Sequence, residues 1–320
     1  MGPVDEHVEI SVAISTYNRC GQLRDAIQSL LAQDAGNPYE ILVVDNNSND
    51  DTRAVVHSLI ERGHSNLRYI FEERQGLSYG RNTAIANARA PLIAFTDDDV
   101  RVAPNWISTA IQAFRDHPDV DFIGGKVIPR WQQPPPDWLT EDHWAPLAVL
   151  NYGDYALYVD PGNPVCLVGA NLLFRKSVFD RIGLFSPELQ RVKDSVGSME
   201  DHELIARLWR AGGRGLYVPE IVVYADVPAE RMSKAYHRRW HAGHGCFYAI
   251  ARIDPFDDAA RGRLLDVPLH AYRQFGADAA GWIWNCLTRK TDQAFLREVR
   301  LRFLLGFLKT RFGNSRVPTP

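Results

Sequence analysis

Four strand-length apolar runs, alternating with helix-spaced segments, fill the first hundred residues. They constrain the fold of this 320-residue chain more than any other feature. From Glu9 the sequence reads EISVAIST, a β-branched run that ends in the polar stretch Tyr17-Asn18-Arg19. Leu23, Ile27, Leu30 and Leu31 then recur at helical spacing, and Ile41 to Val44 forms a second strand that stops at DNNSNDD (45 to 51). A helix over 52–62, a short strand at 67–71, an Ala-rich helix over 78–90 and the buried strand PLIAF (91 to 95) follow. The last of these ends at Thr96-Asp97-Asp98-Asp99. Such alternation predicts an α/β fold with a mostly parallel central sheet and helices on both faces. Open sheets of this kind bind ligands beyond the carboxyl ends of their strands. The clusters at 16–19, 45–47 and 97–99 all fall there, so they are expected to converge on one site.

The rest of the chain is less regular. WQQPPPDW (131 to 138) is a loop, because three successive prolines bar both helix and central strand. A strand is expected at Val165 to Phe174 and a helix at Glu200 to Ala211, with Leu204, Ile205 and Leu208 on one face. Beyond Pro228 the chain reads as helical and basic. Residues 231–320 hold 16 Lys and Arg against 7 Asp and Glu, whereas residues 1–230 hold 20 against 32. The expected organisation is one domain in two halves, 1–125 and 126–230, followed by a basic helical extension at 231–320. With 45% hydrophobic and 23% charged residues, the composition fits a folded protein and excludes disordered, collagenous and disulfide-scaffold classes. Cys20, Cys166, Cys246 and Cys286 form no CxxC pair, which argues against a zinc site or a disulfide framework and for a reducing, cytoplasmic setting. No leader-like segment and no run of about 18 apolar residues occurs, so neither standard secretion nor a membrane span is expected.

Chemistry is concentrated in carboxylates. Three adjacent acids at a strand end repel one another unless solvated or gathered around a cation, and hard oxygen donors suit Mg²⁺ or Mn²⁺. Asp97, Asp98 and Asp99 are therefore either an acidic turn or a metal and diphosphate site. Asp45 is either a turn residue or an acceptor for a ribose or base edge, with Asn46 and Asn47 supplying amides. Asp201, in the Glu200-Asp201 pair, is either a helix cap or a general base for a hydroxyl nucleophile. Neither a GxxxxGK[ST] loop nor a GxGxxG after a strand is present, so acids and amides must hold any nucleotide.

Taken in order, SVAISTYNR (11 to 19), ILVVDNNSNDDT (41 to 52), GLSYGRNTAIANA (76 to 88), FTDDDV (95 to 100), VGANLLFRKSVFDRIGLF (168 to 185) and SMEDHELIARLWRAGG (198 to 213) resemble a family 2 glycosyltransferase with the nucleotide-diphospho-sugar (GT-A) fold. The ordered match spans roughly residues 9 to 245, and its specificity lies in order and spacing. The resemblance implies transfer of a sugar from a nucleotide-diphospho-sugar, most commonly a UDP-sugar, to an acceptor hydroxyl with inversion. It places Thr16, Tyr17 and Arg19 beside the base and Asp45 on the base or ribose, with Asn47 in the same donor region. Arg81 falls near the diphosphate or sugar, and Asp97 and Asp98 face the donor. Asp99 becomes the ligand of Mn²⁺ or Mg²⁺, the divalent ion of the DxD-type motif, and Asp201 the catalytic base. Relatives often carry a histidine just before a V-P-x-x-R segment. This chain has Asp226 before Val227-Pro228, so a further metal ligand would have to come from Asp226, His237, His241 or His244.

The acceptor region is expected around Trp131, Trp138, Glu200 and His202, with the Pro-rich loop and Trp144 as a lid or a stacking surface for sugars. The acceptor class is a carbohydrate, lipid-linked or small molecule in polysaccharide, glycolipid or other glycoconjugate synthesis. The segment from Phe295 to Gly313 is a basic amphipathic helix that either packs on the core or contacts a membrane surface peripherally on its cytoplasmic face. Its cations are interleaved with leucines rather than stacking aromatics, which argues against nucleic acid. Two other classes compete: a nucleotidylyltransferase-like enzyme, which lacks its Gly-rich triphosphate loop here, and an inactive nucleotide-sugar-binding module, which would have lost the acids that this chain keeps.

Overall fold

The computed structural model describes residues 8–34, 36–190, 199–252 and 262–313. Its N-terminal part follows the expected alternation. β1 (Ile10–Thr16), α1 (Cys20–Leu31), β2 (Tyr39–Asp45), α2 (Thr52–Glu61), β3 (Leu67–Phe71), α3 (Leu77–Asn87) and β4 (Leu92–Asp97) succeed one another. Then come β5 (Val100–Val102), α4 (Trp106–Asp116), β6 (Phe122–Trp131), β7 (Leu157–Val159), β8 (Leu172–Arg175) and α5 (Ser177–Ile182). The C-terminal elements are α6 (Glu200–Arg210), β9 (Gly215–Val227), α7 (Lys234–Ala251), a small hairpin of β10 (Arg263–Leu264) and β11 (Val267–Pro268), α8 (Leu269–Leu287) and α9 (Thr291–Phe312).

The main sheet runs β3-β2-β1-β4-β8-β6-β9-β5, with β7 on β9. β1, β2, β3 and β4 are parallel, and β8 pairs antiparallel with both β4 and β6. β1 has neighbours on both sides, and Ile10, Val12 and Ile14 have no exposure, as a run of β-branched residues covered on both faces requires. Gly80 of α3 is needed for close packing, since a Cβ there would lie 2.6 Å from Ser15 Oγ. The expected strand at 165–174 is shorter than its apolar run. Gly169–Asn171 forms a 3-10 turn, and the strand proper begins at Leu172. Asn171 explains the turn: it is buried, it accepts from Trp106 Nε1 at 2.9 Å, and its amide donates to the Lys126 and Ile221 carbonyls at 3.0 Å each.

The chain divides into two compact units rather than into consecutive stretches. One unit comprises Met1–Arg130, Ala148–Pro187 and Arg207–Asp226; the other comprises Trp131–Leu147, Glu188–Ala206 and Val227–Pro320. In the second unit α9 lies against α7 with almost no side-chain layer between them. A Cβ on Gly245 would sit 2.0 Å from the Phe303 carbonyl oxygen, and one on Gly306 would sit 2.1 Å from that of Ala242. Phe295, Val299, Leu304 and Phe307 of α9 are buried, with Leu304 and Phe307 in one cluster with Ala249, Val267 and Ala271. Much of the apolar stripe of 295–313 therefore packs in the core of this unit, while Leu305 and Phe312 stay exposed. Among the described residues no helix is long and apolar enough to cross a membrane. The four cysteines are free thiols.

Candidate active site

The parallel register sets the donor region. Thr16 pairs with Asp45 across β1 and β2, and Ser15 pairs with Asp97 across β1 and β4, so the three polar clusters end at one edge of the sheet. Asp97 is the last residue of β4, and Asp98 and Asp99 form the tight turn into β5. The turn points the acids differently. Asp98 is turned inward and 4% exposed. Thr16 Oγ1 donates to its Oδ2 at 2.8 Å and Arg19 Nη1 to its Oδ1 at 3.0 Å. Burial pushes the Asp98 carboxyl up and the Arg19 charge opposes that, while Asp98 in turn drives the Arg19 guanidinium further toward its charged form. Asp98, Thr16 and Arg19 thus form an internal brace. Asp97 and Asp99 keep 33% and 16% of their side chains exposed. Arg19 Nη1 also reaches Asp99 Oδ2 at 3.3 Å.

Arg81 is nearly buried. Its guanidinium lies over the Phe95 and Phe185 rings and 3.8 Å from Asp97 Oδ1, with Gly169 leaving the space that a Cβ would take. Its charge is held at the end of β4, beside Asp97. Asp45 is 2% exposed, with Tyr69 donating to Oδ2 at 2.7 Å and the Ser48 amide to Oδ1 at 2.9 Å. Burial, then Asp45 itself, raises the Tyr69 phenol well above its usual range, so Tyr69 stays a donor. Tyr17 is half-buried in the turn after β1. Asn47 adopts φ 67°, a left-handed conformation that Asn tolerates, and its amide donates to the Glu73 carbonyl at 3.2 Å. Asn46 is spent internally: its Oδ1 accepts from the Gly76 amide and its Nδ2 donates to the Arg74 carbonyl, both at 2.7 Å. Tyr69, Ser48 and the 74–76 loop were invisible to sequence reasoning. A tyrosine two residues into a short strand beside the Asp45 strand is the one signal that pointed to Tyr69.

In the second unit Asp201 opens α6 beside the buried Glu200. His202 donates its backbone N–H to Asp201 Oδ1 at 2.9 Å, and its ring Nδ1 lies 2.9 Å from the same oxygen. The carboxylate is therefore oriented by its neighbour. Trp138 is half-buried. It packs edge-on against His143, His237 and Phe295 at 5.0–5.3 Å, with Lys234 Nζ 5.5 Å from its ring centroid. Trp131 ends β6, half-buried.

The same packing answers the question of a further metal ligand. His237 has no exposure, and His244 stacks on Trp240 at 4.3 Å. The Asp226 carboxylate is engaged by Arg101 at 2.6 Å and Arg130 at 3.6 Å. Among the described residues no group of three His, Cys, Asp or Glu side chains could hold a metal ion. The donor set that fits a hard cation is the outward pair of carboxylates, Asp97 and Asp99, a set small enough to leave positions for diphosphate oxygens and water.

Comparison with known proteins identifies the family and the fold. The family model described as glycosyl transferase family 2 matches residues 11–183. A glucosyl-dolichyl phosphate glucuronosyltransferase of Haloferax volcanii is 25% identical over 214 residues, 66% of each chain. The succinoglycan biosynthesis protein ExoM of Rhizobium meliloti is 25% identical over 282 residues, 84% of this chain and 79% of its own. Among solved structures, the mannosyltransferase PcManGT of Pyrobaculum calidifontis, in complex with GDP-Man and Mn²⁺, superposes with a TM-score of 0.61 at 19% identity. That match covers 96% of this chain and 88% of the other. S. aureus TarS 1–349 with UDP gives 0.54 at 19% identity, over 96% and 92%. The fold is GT-A, and the chain belongs to glycosyl transferase family 2.

Proposed function

We propose that this chain transfers a sugar, with inversion, from a nucleotide-diphospho-sugar to an acceptor hydroxyl, assisted by Mn²⁺ or Mg²⁺. The observation that carries this reading is the convergence of Thr16, Asp45 and Asp97 at one sheet edge, with Asp99 turned outward beside them. Asp45 accepts from the ribose or base edge, and Tyr17 flanks the base. Arg81 bears on the diphosphate or sugar, and Arg19, locked to Asp98, holds the turn that presents Asp97 and Asp99. Asp99, with Asp97 beside it, would hold the cation, which when bound supplies charge neutralisation for the departing nucleoside diphosphate. Asp201, oriented by His202, takes the acceptor proton as the acceptor oxygen attacks the anomeric carbon. The names of the two relatives, one acting on a dolichyl phosphate sugar and one in succinoglycan synthesis, favour a lipid-linked or saccharide acceptor. Neighbours in complex with GDP-Man and with UDP keep both nucleotides in the test.

The test is a thermal-shift panel of UDP-, GDP- and dTDP-sugars, each with and without Mn²⁺ or Mg²⁺. Ligand at a hundred times its Kd stabilises by about 2.7 kcal/mol, a shift of a few degrees. One nucleotide class is expected to stabilise only with metal, and Asp99→Ala is expected to abolish that dependence. Stabilisation unchanged by removing the metal, or unchanged in Asp99→Ala, would overturn the metal assignment.

A further inference from the structure

Helix α8 packs Ala271, Tyr272 and Phe275 into the core in its first half, but its second half is amphipathic the wrong way round. Its inward positions carry Asp278, 1% exposed, and Asn285, 9% exposed, while Ile283, Trp284 and Leu287 are 53%, 63% and 75% exposed. Asp278 Oδ1 accepts from Arg297 Nη1 of α9 at 2.5 Å, and Gly281 faces the same arginine side chain, so the polar edge of α8 is the one docked on α9. The opposite edge runs the whole length of the helix through Leu269, Arg273, Ala280, Ile283, Trp284 and Leu287, all exposed. A helix that served only as a surface cover would turn its apolar stripe to the core. The exposed apolar cluster of Ile283, Trp284 and Leu287 at the end of this edge marks an interaction face.

We propose that this face of α8 docks on an anionic lipid bilayer, with the helix lying in the headgroup plane and Ile283, Trp284 and Leu287 at the acyl boundary. Three features favour lipid. Arg273, Arg289 and Lys290 are exposed along and just beyond the stripe. The one acid between 269 and 290 is Asp278, buried and paired with Arg297, so the stripe itself carries no negative charge, and the flanking acids are Asp266, held by Arg252 and Arg311, and Asp292. Tryptophan beside cations at the end of an amphipathic helix is the composition that settles at a membrane interface. A second copy of the chain is the poorer occupant. A parallel pairing of two such stripes sets Arg273, Arg289 and Lys290 against their counterparts, and an antiparallel one sets them against an uncharged stretch of the stripe, with no acid in it to receive them. A partially inserted, 19-residue helix lies flat over about 28 Å, enough for several contacts along its length.

The experiment is vesicle flotation of the full chain with phosphatidylcholine vesicles and with vesicles containing about 30% phosphatidylglycerol. Binding is expected to the anionic vesicles, and to weaken with added salt, because each cation near such a surface is worth about fivefold. Trp284→Glu and the double change Arg289→Glu with Lys290→Glu are each expected to lower the vesicle affinity on the order of tenfold or more. Both replace exposed residues, so an unchanged melting temperature serves as the folding control. Three outcomes overturn the proposal: no flotation with anionic vesicles, flotation unaffected by Trp284→Glu, or sedimentation showing a dimer that Trp284→Glu dissolves.

Discussion

Asp98 and Asp99 are neighbours in one turn, and their surroundings give them opposite work. Both Asp98 oxygens are taken by Thr16 and Arg19, whereas Asp99 shares the same Arg19 and keeps 16% of its side chain exposed. Arg19→Ala removes a charge that Asp98 needs to stay ionised while buried, which costs about 1–3 kcal/mol. Burial already raises the Asp98 carboxyl above its unfolded value, so protonation favours the folded state, and ionisation works against it as pH rises through the folded pKa. The Arg19→Ala defect is therefore expected to be larger at pH 7.5 than at pH 5, read as the shift in urea midpoint. An equal defect at both would remove Asp98 as its source. Asp99→Ala, by contrast, is expected to change the midpoint little and to lose metal-dependent nucleotide binding. Asp201→Asn keeps the size and the His202 contact but cannot take a proton. It is expected to lower kcat by about 10²–10⁴-fold with nucleotide affinity retained, measured by steady-state transfer alongside calorimetry. Equal turnover would remove Asp201 as the base.

At the scale of elements, glycines decide how closely α7 and α9 approach. Gly245→Ala or Gly306→Ala must push a methyl into a facing carbonyl, since the ideal Cβ positions lie 2.0 and 2.1 Å from backbone oxygens. Separating two helices that share a core is expected to cost at least about 2 kcal/mol, in the range of overpacking defects. Gly276→Ala, with nothing within 4 Å, is expected to be neutral or to stabilise by up to about 1 kcal/mol. A melt of the three variants checks both directions at once. These glycines also show what sequence pattern conveys. β1 to β4 and their helices were legible because buried parallel strands are unbroken apolar runs ended by polar clusters. β6 was not, because Gly124-Gly125 reads as a turn. A Cβ on Gly125 would clash with the Ile221 backbone, so the pair lets two strands close up. β9 hid behind Pro219-Glu220 in its interior. In the site, the residue types and their strand ends could be read, but the direction in which each side chain points could not. The inward turn of Asp98, the Trp138 packing and the reversed face of α8 all depend on neighbours distant in sequence.

For the whole molecule, two sets of buried titratable groups fail in different pH windows. His237 is wholly buried among Trp138, His143 and Phe295. Burial first, then the neighbouring His143 ring, lowers its pKa to about 4. His241 is likewise lowered to about 4 by burial, then by His237 and His143, and burial lowers His143 as well. Lys234 and Arg238 lie over the Phe295 ring of the same cluster, so a proton gained there meets like charge, with Asp142 and Asp292 opposing it at His143. Each depressed imidazole binds its proton more readily in the unfolded chain. The stability it secures is complete above pH about 6.5 and is lost as pH falls toward about 4. At its steepest a single such group contributes about 1.4 kcal/mol per pH unit. Glu72 behaves differently: hydrogen bonds from Arg74 and then Thr83 hold it down to about 2, so its contribution is lost only below the ordinary carboxylate range. A fall in unfolding midpoint between pH 6.5 and pH 5 therefore reports the histidine cluster and not the carboxylates. His237→Phe, which keeps a ring in the cluster and cannot be protonated, is expected to flatten the pH dependence in that window while leaving the slope below pH 4 intact. An unchanged slope between pH 6.5 and pH 5 would place the acid sensitivity outside this cluster.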